Sequence, residues 1–187
     1  GHAVTAAAGG AAAQPAASLS QLLAGWLPAQ RWFPVRGGVE LHRAGGIRLA
    51  EDAGATEPAG DVQLQLHVLV AAPAGTARGD SEVSVPLALR SRELEGAQAA
   101  LIGRWEGRAG TRWVYDGTQD PAFLAAWLEM MRRELPTADG RSAGHAYADF
   151  SGWPAFEATT LRARVLEGEQ SNTSVVVDTE RGALILK

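Results

Sequence analysis

Strict period-two alternation over 62–70 constrains the fold more than any other feature of the chain. Val62, Leu64, Leu66, Val68 and Val70 alternate with Gln63, Gln65, His67 and Leu69, and Val83, Val85, Leu87 and Leu89 repeat the pattern further along. Successive side chains of a strand point to opposite faces, so each segment presents one apolar row to a core. With a further strand over 39–49, this predicts an antiparallel meander. Pro86 has no backbone N–H, which places its strand at an edge or a bulge. Ahead of the sheet, Leu19, Leu22, Leu23, Trp26 and Leu27 recur at helical spacing, and Ser18 with Gln21 has the form of a capping box. Pro28 breaks or restarts that helix. Gln30-Arg31-Trp32-Phe33, Pro34 and the Gly37-Gly38 turn signal then join helix to sheet, with the aromatics expected to pack as an anchor under an arginine stem. Residues 18–95 therefore form a first unit, a helix packed on an antiparallel sheet.

A second unit is expected over 96–187. Ala99 to Trp105 and Thr111 to Tyr115 flank a Gly107 to Gly110 turn and read as a hairpin. Asp120 is placed to cap a helix with Pro121 at its first position, and Phe123, Leu124, Trp127, Leu128, Met131 and Leu135 form its apolar stripe up to Pro136. Residues 138–152 show no period and read as a loop whose aromatics can anchor it. Strands at Leu161 to Leu166, Val175 to Val177 and Leu184 to Lys187 then make a three-stranded meander. The whole is an α+β chain with two antiparallel sheets, each accompanied by a helix.

Composition removes several function classes. A formal charge of −4 and a pI near 5.6, with no compensating basic cluster, argue against nucleic acid as a partner. No segment approaches the ~18 consecutive apolar residues of a membrane span. Cysteine is absent, which excludes thiolate metal sites and agrees with a reducing, cytoplasmic setting. His42, His67 and His145 are scattered without metal-ligand spacing. Residues 1–17, rich in alanine and glycine, read as a disordered tail that opens on Gly1-His2, the look of a tag-cleavage scar.

The chemistry concentrates near the end. Gly168 to Ser174 is a short polar loop between two strands, and Lys187 follows one hairpin later; of 17 lysine-plus-arginine residues, it is the only lysine. Backbone amides and the hydroxyls of Ser171, Thr173 and Ser174, beside Asn172, can donate to phosphate oxygens, while a strand lysine adds a compact charge from a fixed direction. The same residues also suit an ordinary turn and an ordinary solvated lysine. Asp116 and Asp120 could be imagined as paired carboxylates, yet turn and N-cap roles account for both. No residue of the chain is assigned catalysis or metal binding.

The run GEQSNTSVVVDTERGALILK resembles the nucleotide-lobe hairpin of maltokinases, relatives of the aminoglycoside phosphotransferases within the protein-kinase-like fold. QRWF is similar to their N-terminal cap signature, and LIGRWEGRAGTRWVYDGTQDPAFLAAWLEMM to their intermediate region. Pro34-Val35-Arg36-Gly37-Gly38 departs from the glycine- and lysine-rich stretch the family commonly has after QRWF. The resemblance implies a cap over 18–95 and an intermediate region with an incomplete nucleotide lobe over 96–187. It implies that Ser171, Asn172, Thr173 and Ser174 take the place of the Gly-rich loop over ATP phosphates and that Lys187 contacts those phosphates. For the parent enzyme it implies phosphorylation of maltose to maltose 1-phosphate with ATP and Mg²⁺, feeding α-glucan synthesis from trehalose, with trehalose synthase as partner. In the family the remaining catalytic and magnesium-binding residues lie after the position of Lys187, so the piece itself is expected to be inactive and to bind no cofactor tightly. A related kinase acting on glucosamine, or a non-catalytic interaction module, are the alternatives.

Overall fold

A computed structural model describes residues 18–50, 60–76, 81–167 and 172–187. The expected tail over 1–17 lies outside the described residues, as does 168–171. Helix α1 spans Leu19–Trp26 and is followed by strands β1 (Val39–Arg48), β2 (Val62–Pro73), β3 (Ser81–Arg90), β4 (Leu101–Gly107) and β5 (Gly110–Asp116). Helix α2 (Pro121–Arg132) leads to β6 (Arg162–Val165), β7 (Val175–Thr179) and β8 (Gly182–Leu186). The first five strands form one antiparallel sheet in the order β1-β2-β3-β5-β4, and the last three a second, β6-β7-β8. The α+β class expected from the periodicity is the class observed.

Ser18 Oγ accepts from Gln21 N at 3.1 Å, so α1 begins at the capping serine, and Pro28 restarts the chain as a 3-10 turn over Leu27–Ala29. Leu23 and Leu27 from this segment pack with Leu69, Val83, Val85, Leu87 and Leu89 on one face of the first sheet. Helix α2 covers the other face, where Phe123, Ala126 and Met130 meet Leu64, Ala88 and Tyr115. Its opposite side belongs to a third cluster: Leu124 and Leu128 pack on Val175 and Val177 of the second sheet and on Phe156 of the segment before it. Layers therefore run α1, first sheet, α2, second sheet. A helix between two sheets must be apolar most of the way round, which is why Ala122 through Ala126 are all buried.

The sheet bears on three expectations. Pro86 lies in the third of five strands, yet β5 pairs with β3 only over Leu87–Arg90, so the 81–86 half has a described neighbour on the β2 side alone and Pro86 sits on the open edge its missing N–H predicts. The β4–β5 hairpin, expected in the second unit, extends the first sheet through that same pairing, and Tyr115 Oη accepts from Leu94 N at 2.7 Å to tie the connection across it. Apolar contacts of β2 are not confined to one face: Leu64 packs under α2, whereas Leu69 and Ala71 pack under α1.

Helix α2 also ends earlier than Pro136. Glu134, with φ at 51°, takes the left-handed position after the cap, and Leu135 N reaches Met130 O at 2.9 Å while Glu134 N reaches Met131 O at 3.3 Å. These two bonds satisfy the final carbonyls. Gly144 then packs against this end, where a Cβ would run into the Met130 carbonyl.

At the other end of α2, Asp120 is fully buried and accepts from Ala122 N at 2.9 Å and from Arg90 Nε and Nη2 at 2.8 and 2.7 Å. Removing one partner of such a pair strands a charge in the core, so Asp120→Ala is expected to destabilise the fold by about 3–5 kcal/mol. Urea unfolding of the variant measures this, and a loss near that of a surface substitution would show that the pair does not hold α2 to the sheet.

Candidate functional site

The second sheet determines where the phosphate-loop candidates fall. Ser171 lies outside the described residues. Ser174 is buried, and its carbonyl accepts from Leu166 N at 2.8 Å, which closes the loop between β6 and β7. Asn172 is exposed and Thr173 half-buried, just before β7. Val175 pairs with Leu186, so Lys187, the next residue after β8, comes level with this end of the loop. Leu184 and Leu186 face the third core, while Ile185 on the opposite face is 58% exposed. The period-two alternation of a strand thus holds at these three residues of β8. Asn172, Thr173 and Lys187 share the rim of one cleft; Ser174 is not part of its lining.

That cleft has a volume of about 1080 Å³. It opens where β5 has stopped pairing with β3, so Glu82, Ser84 and Pro86 of the open half form one wall. Phe123 and Trp127, stacked at 5.9 Å with rings 14° apart, come from α2. Trp26, the last residue of α1, and Arg31 and Trp32 from the segment after it also line the cleft. Phe33 of that segment is the core anchor at 1% exposure, with Trp32 edge-on to it at 6.0 Å and to Trp26 at 6.4 Å.

The arginine that secures this turn is not Arg31. Arg36 donates through Nη1 to the carbonyls of Pro28 and Gln30, at 3.0 and 2.9 Å, and through Nη2 to that of Arg31 at 3.1 Å. One planar fork therefore collects three carbonyls around the end of the 3-10 turn, of which that of Gln30 also accepts from Phe33 N at 3.2 Å. The sequence reading missed it, because Pro34 to Gly38 was the stretch that departed from the family pattern.

Asp116 is the other residue that the sequence undervalued. Its expected turn role is present: Oδ1 accepts from Thr118 N at 2.9 Å and from Thr118 Oγ1 at 2.7 Å. Oδ2 has only a long 3.4 Å contact, from Gln119 Nε2, and the residue lines the cleft. Burial pushes the Asp116 carboxyl above the ordinary aspartate range, opposed by the bonds from Thr118 and Gln119. Asp120, by contrast, is the expected helix cap and faces Arg90.

Glu129 anchors the segment that leads to the second sheet. It is buried at 2% exposure, is paired with Arg132 at 2.7 Å, and accepts from Phe156 N. The histidines stay apart: His67 Nε2 lies 2.7 Å from Gln65 Oε1 on β2, and His145 lies 3.0 Å from Glu134 beyond α2. Among the described residues no three His, Asp or Glu side chains are grouped to hold a metal ion, and no helix is long and apolar enough to cross a membrane.

Two predictions follow from these contacts. Arg36→Ala is expected to cost about 1–2 kcal/mol and to loosen Trp32, read by thermal melting and by the Trp32 indole signal; Arg36→Lys lacks the fork and should recover little of it. Burial and the Arg43 charge depress His67 to about 4, so between its ordinary 6.5 and 4 the unfolded chain binds a proton that the folded chain does not. Stability then falls as pH drops through that window. His67→Gln should flatten this part of the stability profile, and an unchanged slope would place the titration elsewhere.

Residues 26–120 match the family described as the maltokinase N-terminal cap domain. No curated protein matches the chain. The match runs from Trp26, at the end of α1, through all five strands of the first sheet to Asp120, the residue that clamps α2 to β3. It covers more than half of the 187 residues, and the chain belongs to the maltokinase N-terminal cap domain family.

Proposed function

We propose that this chain supplies the cap and the first part of the nucleotide lobe of a cytoplasmic maltokinase, an enzyme that transfers the γ-phosphoryl group of ATP to maltose and releases maltose 1-phosphate and ADP. The observation that carries the reading is the meeting of Asn172 and Thr173 with Lys187 at one end of the second sheet. Phosphoryl transfer in this fold depends on positioning and charge rather than on covalent chemistry, and a lysine level with a polar loop supplies both in part. Ile185, exposed beside Lys187, gives an apolar surface on which a purine ring can lie, and Val176 pairs with it across the sheet. Ser171 and Ser174 complete the loop in this reading, Ser171 as a hydroxyl donor and Ser174 as its buried hinge. Mg²⁺ enters with ATP and is held by carboxylates outside this chain. Trehalose synthase is the proposed partner, since it supplies maltose.

The reading is tested in the full gene product. Lys187→Ala should lower maltose phosphorylation by about 100-fold with an unchanged melting temperature. MgATP should protect the Lys187 amine from acylation. Undiminished labelling, or turnover of glucosamine in place of maltose in a sugar panel, would overturn the assignment of the site or of the substrate respectively.

A further inference from the structure

The cleft between the first sheet, α2 and the loop at 172–173 holds more than a phosphate site needs. Its rim carries Arg31, Arg36 and Lys187, but its wall carries the carboxylates of Asp116 and Glu82. A polyanion laid along it would meet both negative groups, and a cation would meet three positive ones. Arg36 is already engaged with backbone carbonyls. What remains is a mixed set of donors and acceptors, Arg31, Asn172, Thr173, Ser84, Glu82 and Asp116, beside the half-buried rings of Trp32 and Trp127.

That combination matches the surface of a pyranose ring. Its C–H face is apolar and packs flat on an indole, while its equatorial hydroxyls need both donors and acceptors around the edge. Asp116 is the focal group. It is only 9% exposed, Thr118 occupies one of its oxygens, and the other is left with a single 3.4 Å amide contact. A buried carboxylate oxygen so weakly satisfied gains by accepting from a ligand hydroxyl. The volume, about 1080 Å³, reaches the upper end of the ~300–1,000 Å³ usual for ligand pockets and leaves room for more than one ring.

We propose that the cap cleft binds a neutral oligosaccharide, with pyranose rings stacked on Trp32 and Trp127 and a hydroxyl donated to Asp116. This sugar site is built by the cap and α2; it shares Asn172 and Thr173 with the nucleotide reading, but its focal groups, Trp32, Trp127 and Asp116, play no part in that reading. A sugar seated there touches the Arg31–Trp32 turn and the loop at 172–173 together, so its occupancy is communicated to both.

The test uses the 187-residue chain and its six indole N–H signals in two-dimensional NMR. Maltotriose is the probe, sorbitol the control that has hydroxyls but no ring face, and MgADP the anion control. Millimolar maltotriose should shift the Trp32 and Trp127 signals and leave Trp105 and Trp113 in place; sorbitol should shift neither. Asp116→Asn keeps the acceptor for Thr118 but removes the charge, and should weaken maltotriose binding by about tenfold. Trp32→Leu should weaken it comparably, which keeps the test decisive if the aspartate variant does not fold. No shift at about 20 mM maltotriose would overturn the proposal. Equal response to sorbitol or to MgADP, or unchanged affinity in both variants, would overturn it as well. Retained maltotriose binding in Lys187→Ala would support it and separate it from the nucleotide reading.

Discussion

The buried contact between Arg90 and Asp120 fixes how two packed layers, the first sheet and α2, are set against each other. Arg90 is the last residue of β3, the central strand, and Asp120 immediately precedes α2. A bidentate pair at 2.7 and 2.8 Å, with almost no solvent on either side, gains little net energy over an apolar pair of equal volume, because both charges lose their water. Its value lies in direction. The fork admits one relative orientation, and the same carboxylate caps the helix at Ala122 N, so strand and helix axis are fixed by one group. Everything after residue 120 is hung on that orientation.

Helix α2 passes the constraint on. It is buried against both sheets, and its two apolar sides are interleaved in sequence: Phe123, Ala126 and Met130 for the first sheet, Leu124 and Leu128 for the second. Glu129, between them, holds the returning chain at Phe156 and is itself held by Arg132. At the C-terminal end the left-handed Glu134 turns the chain, and its side chain accepts from Ala146 N and pairs with His145. The long segment between α2 and β6 is therefore fastened at several points though it has almost no regular structure. Its anchors are Glu129 and Glu134 together with its aromatics, since Phe156 is buried in the third core and Phe150 and Trp153 pack against it, as expected of the segment's aromatics.

These arrangements explain what could be read from the residues and what could not. Strand and helix existence followed from Val62, Leu64, Val83, Val85 and the stripe of α2, because local periodicity reports which face is buried. The serine and aspartate caps, Ser18 and Asp120, were equally legible, since capping is a local event. Membership of a sheet is not local. The β4–β5 hairpin reads as a separate unit until its pairing with Leu87–Arg90 is seen, and Pro86 announces an open edge without saying that the edge is half of a central strand. Within the site, Lys187 stood out by residue type. Arg36 and Asp116 did not, since the role of each depends on groups that its own neighbourhood does not announce: carbonyls five to eight residues back for Arg36, and a cleft walled by α2 and β3 for Asp116.

The same partial pairing that leaves Pro86 on an open edge creates the cleft. Had β5 continued along β3 past Leu87, the 81–86 edge would be closed and Asp116 would sit inside a ladder rather than at its end. Instead β5 terminates, Asp116 turns its carboxylate into a 3-10 turn, and the chain crosses to α2 through Gly117, where a Cβ would meet Phe123 and Pro86 at 2.9 Å. Only a glycine lets β5 end so close to the proline. The open edge, the stranded carboxylate and the short crossing are thus one feature, and the proline that occupies the unpaired half blunts that edge against further strands. A side-chain ligand site, rather than strand addition, is what such an edge can support.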